Sequence, residues 1–82
     1  MPLSDPGCER RQYHTRDIQV KGFFRADGLW DIEGHMRDTK TYPFENAHRG
    51  TIEPGDAVHD MLLRITIDDQ MVIHGAEAVT VA

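Results

Sequence analysis

The sequence has 82 residues, of which 39% are hydrophobic and 28% charged, and its formal net charge is −5. This length holds one small domain, and the acidic balance argues against nucleic-acid binding, because no basic excess is present to neutralise phosphates. The single cysteine, Cys8, excludes an internal disulfide and a zinc site with two thiolates. No apolar stretch is long enough for a signal peptide or a membrane span, so we predict a cytoplasmic protein that binds no membrane.

Two regions differ in pattern. Residues 1–12 contain prolines, a glycine and mixed charges without an apolar period, which predicts a flexible N-terminal arm. Residues 13–82 are predicted to form one antiparallel β domain, which opens with two alternating strands. The first strand places on one side Ile18, Val20, Gly22 and Phe24. The second strand places on one side Trp30, Ile32, Gly34 and Met36, and on the other Asp31, Glu33, His35 and Arg37.

The loop between these strands decides their register, since a slip of one residue turns every side chain to the other face. A two-residue Asp27-Gly28 turn sets apolar side chains opposite charged ones. A three-residue loop, with Gly28 in the left-handed region, instead makes one face uniformly apolar. It also brings three opposite charges into register: Lys21 with Glu33, Asp17 with Arg37, and Arg16 with Asp38. We therefore predict the three-residue loop.

The rest of the chain predicts a second hairpin. Residues 44–58 contain Gly50, Pro54 and Gly55 without sustained alternation and are expected to form a long loop. Residues 59–67 alternate again, residues 68–70 read as a turn, and residues 71–81 are rich in β-branched side chains. Because no segment shows a helical apolar period, the predicted fold is all-β, a four-stranded antiparallel sheet of two hairpins, curved or half-barrel in shape.

Such a sheet has one apolar face and no second layer to cover it. Either strong curvature closes the sheet or two copies pack face to face. We expect dimerisation to cover the apolar face, so that the protein's first partner is a second copy of itself.

Several segments resemble a bacterial family called domain of unknown function 2889: residues 28–40, residues 59–69, and the opening His14-Thr15-Arg16. The resemblance covers most of residues 14–80. It implies no established activity, and relatives usually continue into a more helical second half with cysteine and histidine residues. Two alternatives follow for this chain, a natural short relative and a fragment of a longer protein.

The polar side of the second strand carries the candidate catalytic residues Asp31, Glu33 and His35, which alternate and so project from one face. If the third strand lies beside the second, Asp60, Arg64 or His74 joins this face. Glu33, His35 and His74 are then the candidate ligands of a divalent metal, the one cofactor that the sequence suggests. The alternative interpretation is that this face is exposed to solvent and that its acidic side chains form ion pairs with nearby basic side chains.

Aromatic residues concentrate on the first hairpin and its exit, which is typical of a core, an interface or an apolar pocket for a small organic ligand. The candidate ligand-binding residues are Trp30, Tyr42, His59 and Arg64. Ser4 and Cys8 have no glycine elbow or orienting base, which argues against covalent catalysis. We therefore predict a homodimeric binding or assembly module. The alternative is a metal-dependent or acid–base enzyme that uses the carboxylate and histidine face.

Overall fold

The computed structural model describes residues 2–82 and contains six strands: β1 (His14–Phe24), β2 (Trp30–Lys40), β3 (Phe44–Asn46), β4 (Gly50–Ile52), β5 (Ala57–Ile67) and β6 (Ile73–Thr80). Four of them form an antiparallel sheet in the order β1-β2-β5-β6, and β3 and β4 form a separate two-stranded sheet. The all-β prediction is confirmed. Residues 2–82 contain no helix that is long and apolar enough to span a membrane.

The register of the first hairpin follows from its loop. Phe24 lies opposite Trp30 and Val20 opposite Gly34, as the three-residue loop requires. The amide of Arg25 donates to the carbonyl of Leu29 at 2.8 Å, and Gly28 has a φ of 87°. This left-handed conformation is accessible to glycine without a side-chain clash, so Gly28 fixes the turn and with it the face of every residue in β1 and β2.

The second hairpin uses a loop of the same length. The amide of Asp68 donates to the carbonyl of Val72 at 3.0 Å, which leaves three residues in the loop. The residue in the left-handed position here is Met71, with a φ of 64°. The side chain of Asp68 accepts hydrogen bonds from the amides of Gln70 and Val72 and thereby holds the turn closed.

The expectation of a structureless loop over residues 44–58 needs correction, because β3 and β4 form a short hairpin there. Asn46 Oδ1 accepts hydrogen bonds from the amides of His48 and Arg49 at 2.9 and 3.2 Å. Gly50 has a φ of 72° and pairs with Asn46. The turn therefore rests on one asparagine cap and one glycine, and strands of three residues are too short to show an alternation in sequence.

The four-stranded sheet is a single open layer. The molecule measures 51 × 42 × 17 Å, and its radius of gyration is 18.1 Å, whereas a compact domain of this length has about 12 Å. The buried residues within 2–82 are Ile52, Asp38 and Thr66. The apolar side chains of the sheet lie on one of its faces and are not enclosed in a core. We call this face the apolar face and the opposite face the polar face.

The register across all four strands defines the apolar face. It carries, row by row, Phe24, Trp30, Ile67 and Ile73, then Gly22, Ile32, Ile65 and Ala76, then Val20, Gly34, Leu63 and Ala78, then Ile18, Met36, Met61 and Thr80. The rings of Phe24 and Trp30 are in contact in a tilted arrangement, with an interplanar angle of 55° and centroids 4.8 Å apart. β1 and β6 are the edges, so the sheet has two free borders and two accessible faces.

Candidate functional site

The polar face joins residues of β2 to residues of β5. Asp31, Glu33 and His35 project from β2, and their register partners on β5 are Thr66, Arg64 and Leu62. The prediction that these three β2 side chains share one face is supported by this register. Arg64 also joins the face, because β5 is the neighbour of β2.

Asp31 occupies the end of this face near the first loop. Its Oδ1 accepts hydrogen bonds from Thr66 Oγ1 at 2.7 Å and from Arg25 Nη1 at 3.2 Å. The hydrogen bond from Thr66, followed by the hydrogen bond and charge of Arg25, lowers the pKa of Asp31 against the opposing effect of burial. Asp31 is thus held as a carboxylate that ties β2 to β5.

Glu33 and Arg64 form the next ion pair, with Arg64 Nε donating to Glu33 Oε2 at 2.7 Å. Glu77 of β6 lies further from the same guanidinium, 3.8 Å from Arg64 Nη1. The hydrogen bond from Glu33, followed by its charge, raises the pKa of Arg64. The sequence predicted Lys21 as the partner of Glu33, and Lys21 does lie opposite it on β1, but the ion pair forms on the β5 side.

His35 lies one row further along and is oriented by a carboxylate. Its Nε2 donates to Asp60 Oδ1 at 2.6 Å, and Arg37 Nε lies 3.7 Å from Asp60 Oδ2. A carboxylate that holds one imidazole nitrogen leaves the other free for proton transfer or for binding. Chemically, this His35–Asp60 pair is the part of the polar face that is suited to acid–base work.

A depression of about 320 Å³ lies between the Glu33 and His35 rows. Ten residues line it: Gln19, Lys21, Glu33, Gly34, His35, Leu62, Leu63, Arg64, Glu77 and Val79. Leu62 and Val79 are register partners on β5 and β6 and place apolar side chains on a face that is otherwise charged. The depression therefore combines an apolar floor with cationic and anionic walls.

A second charged cluster lies at the far end of the apolar face. Arg16 donates to Asp38 through Nε at 2.8 Å and through Nη2 at 3.0 Å, and Asp38 is only 7% exposed. The hydrogen bonds from Arg16 lower the pKa of Asp38, and the charges of Arg16, His59 and His14 act in the same direction. This ion pair was predicted from the register, and it forms between the two predicted side chains.

The sequence of this sheet matches a known family over nearly its whole length. Residues 14–82 match the family described as Protein of unknown function (DUF2889). The chain belongs to this family. No match was found among curated proteins, and none among solved structures. The resemblance drawn from residues 14–16, 28–40 and 59–69 is thereby confirmed.

In this DUF2889 chain, the four predicted ligand-binding residues lie in separate places. Trp30 packs against Phe24 at the apolar face, and His59 is the register partner of Asp38. Tyr42 lies beyond the end of β2, with its ring centroid 5.3 Å from that of Tyr13. Of the four, only Arg64 lines the depression.

The predicted metal ligands are also separated. His74 Nε2 donates to Asp68 Oδ2 at 2.7 Å at the β5–β6 turn, whereas His35 and Glu33 lie in the middle of the sheet. The hydrogen bond from His74 is the main reason that the pKa of Asp68 is lowered. No group of three or more His, Cys, Asp or Glu side chains suited to a metal ion occurs within residues 2–82.

Seven of the ten residues that line the depression were not among the predicted site residues: Gln19, Lys21, Gly34, Leu62, Leu63, Glu77 and Val79. Lys21 was interpreted only as the partner of Glu33. Leu62 and Val79 carry a usable signal, because an apolar side chain on the polar side of an alternating strand is unexpected on a solvated face. Their meeting depends on the β5–β6 register, which contains an irregularity between Thr66 and Ile67.

Proposed function

We propose that this member of the DUF2889 family is a homodimeric binding and assembly module. The apolar face packs against the same face of a second copy, and the polar face keeps a pocket for a small organic ligand. The observation that carries the proposal is the exposure of the apolar face, on which Val20 is 67% and Leu63 50% accessible to solvent. Monomeric proteins rarely expose contiguous apolar patches larger than a few hundred Å².

The accessible surface of the chain is larger than that of a compact monomer, which is consistent with association with a second copy. The accessible surface is 6815 Å², whereas a compact monomer of this mass exposes about 5,000 Å². The excess belongs to the extended N-terminal residues and to the open sheet. Stable homodimer interfaces bury about 2,000 Å² or more in total, which is about 1,000 Å² per copy.

Light scattering coupled to gel filtration tests the assembly. We expect twice the mass of one chain at micromolar concentration, with a melting temperature that rises with protein concentration, because association stabilises the folded state. A single-chain mass together with a cooperative, concentration-independent melt would overturn the proposal, since it would show that the sheet is stable with its apolar face uncovered.

A second candidate function is acid–base or metal-dependent catalysis on the polar face. The 2.6 Å hydrogen bond between His35 Nε2 and Asp60 Oδ1 favours it, because a carboxylate that orients an imidazole is a common arrangement in general bases. Metal analysis of protein purified without a histidine tag separates this candidate from the first one. Stoichiometric zinc, manganese or iron that is lost in His35→Gln supports the enzyme, and its absence leaves the binding module.

A further inference from the structure

We propose that the depression on the polar face binds an anionic amphiphile, a small organic acid whose carboxylate meets Lys21 and whose hydrocarbon part lies on Leu62 and Val79. The inference rests on the small-molecule pocket of the proposed function and adds to it a ligand class and an orientation. It does not depend on the dimer, because the depression lies on the face opposite the one proposed to associate.

The apolar floor is the first reason. Leu62 and Val79 lie side by side on neighbouring strands and are 41% and 48% exposed. Leu62 has Asp60 and Arg64 as its same-face neighbours along β5, and Val79 follows Glu77 on the same face of β6. Apolar side chains left in water at the bottom of a depression favour a ligand with a hydrocarbon part. The volume of about 320 Å³ admits a small ligand of this kind.

The charged side chains that line the depression indicate the charge of the ligand's polar group. Glu33 already accepts a hydrogen bond from Arg64. Lys21, in contrast, has no carboxylate within 4.0 Å among residues 2–82. Arg64 is committed to Glu33 through Nε, and its Nη1 lies 3.8 Å from Glu77 Oε1. Among the charged side chains that line the depression, Lys21 is therefore the one without an ion-pair partner in the described chain, and its ammonium group complements a carboxylate.

The strand order also sets the orientation. Lys21 lies on the edge strand β1, whereas Val79 and the exposed Glu77 lie on the opposite edge strand β6. Three strand spacings separate the two edges by about 14 Å. A carboxylate at the β1 side is thus kept away from Glu77, and a chain of several methylene groups reaches from Lys21 across β2 to Leu62.

Titration with octanoate, followed by proton–nitrogen NMR spectra, tests the proposal. We expect saturable shifts of the amides of Lys21, Leu62 and Val79. Lys21→Gln is expected to weaken binding about fivefold or more, because the charge-assisted contact is lost. The matched control is Lys40→Gln, which changes the other lysine of the chain, located over the ring of Phe44 at 4.3 Å. This control should bind octanoate as the wild type does.

Leu62→Asn and Met61→Asn separate the depression from simple adsorption to exposed apolar surface, because these neighbours lie on opposite faces and only Leu62 lines the depression. Binding through the depression is lost in Leu62→Asn and retained in Met61→Asn. Equal affinity for octanoate and for uncharged octanol, or shifts confined to the apolar face around Val20 and Met61, would overturn the proposal.

Light scattering on the same samples keeps the two proposals distinct. A monomer that binds octanoate in the predicted way refutes the dimer and supports the ligand class. A dimer that binds no octanoate refutes the ligand class alone.

Discussion

At the scale of single residues, Asp38 shows how one carboxylate is accommodated on a face made of apolar side chains. It is buried, and two hydrogen bonds from the Arg16 guanidinium satisfy it. Removal of one partner of such a pair leaves the other without compensation. The pair marks the end of the apolar face, beyond which the chain turns toward the β3–β4 hairpin.

The pH dependence of stability should carry the signature of this pair. Arg16 lowers the pKa of Asp38 below its ordinary value of 3.8, so the folded chain binds fewer protons than the unfolded chain at acidic pH. The resulting stabilisation is fully present above the unfolded pKa and is lost as the pH falls through the lower folded pKa. We predict a free energy of unfolding that decreases from about pH 5 toward pH 2, with a shallower slope in Asp38→Asn.

Urea unfolding at a series of pH values measures this slope. Arg16→Gln should reduce the slope as Asp38→Asn does, and the double variant should add nothing further, because both changes remove the same interaction. A slope in Asp38→Asn that equals that of the wild type would contradict the assignment. The lowered pKa values of Asp27, Asp31 and Asp68 account for the slope that remains.

Met71 is a second residue with a measurable consequence. It has a φ of 64° and is 76% exposed, so it adopts a left-handed conformation without the packing contacts that would compensate for it. We predict that Met71→Gly raises the free energy of unfolding by about 0.5–1 kcal/mol, the relief of strain exceeding the entropy that glycine adds to the unfolded chain. Thermal unfolding of the variant measures the effect.

Gly28 provides the matched control for Met71, because it holds the same position in the other three-residue loop. Gly28→Ala should lower stability by about 1 kcal/mol, since it introduces the strain that Met71→Gly removes. If Met71→Gly destabilises the protein instead, the side chain of Met71 makes a contact that outweighs its backbone strain.

At the scale of the elements, the register of the first hairpin could be predicted from sequence because its loop and its alternation agree. Only one register gives a uniform apolar face, and Gly28 permits the turn which that register needs. The partner of Glu33 could not be predicted. Lys21 and Arg64 flank it on either side, and side-chain packing rather than strand alternation decides which cation reaches the carboxylate.

The edge strand β6 yields a prediction about how copies associate. Val81 donates its amide hydrogen to the carbonyl of Asp60 at 2.7 Å, and alternation along an antiparallel strand then directs the amide of Val79 inward and that of Ala78 outward. Proline is tolerated on an edge strand where the missing hydrogen faces solvent. We therefore predict that Ala78→Pro remains folded, whereas Val79→Pro loses a ladder hydrogen bond and is strongly destabilised.

The same variant distinguishes face-to-face packing from edge-to-edge pairing. Ala78→Pro removes an outward donor that a strand added to β6 would need, but it leaves the apolar face in place. If Ala78→Pro has the wild-type mass in light scattering, the β6 edge is not the interface. A monomeric but folded Ala78→Pro would show that the sheets of two copies join along their edges if Ala78→Val, which alters the same apolar-face position but keeps the amide, remains dimeric.

At the scale of the whole molecule, only the part of the candidate site that lies on the single strand β2 could be predicted from the sequence. Asp31, Glu33 and His35 share a face because of their spacing alone. The depression that Glu33 and His35 line depends on β5 lying next to β2 and on β6 lying next to β5, and no local pattern specifies which strands become neighbours. The same long-range pairing brings Asp60 to His35, 25 residues away along the chain.

Substitutions of two adjacent residues of β5 can show which face of the sheet forms the dimer interface. Leu63 lies on the apolar face and Leu62 on the polar face, and both are partly exposed. Leu63→Lys places a charge within the proposed interface, where it would be buried without a partner, so we predict dissociation to the monomer. Leu62→Lys adds the same charge to a face that already carries ions, and we predict that it leaves the dimer intact.

Light scattering gives the mass of each variant, and far-ultraviolet circular dichroism shows whether its sheet is formed. Val20→Lys, on β1 of the same apolar face, provides an independent position in case Leu63→Lys does not fold. Dissociation in both apolar-face variants, with Leu62→Lys still dimeric, assigns the association to that face. If Leu62→Lys dissociates while Leu63→Lys and Val20→Lys remain dimeric, the polar face carries the interface, because a single lysine disrupts only the surface from which it projects.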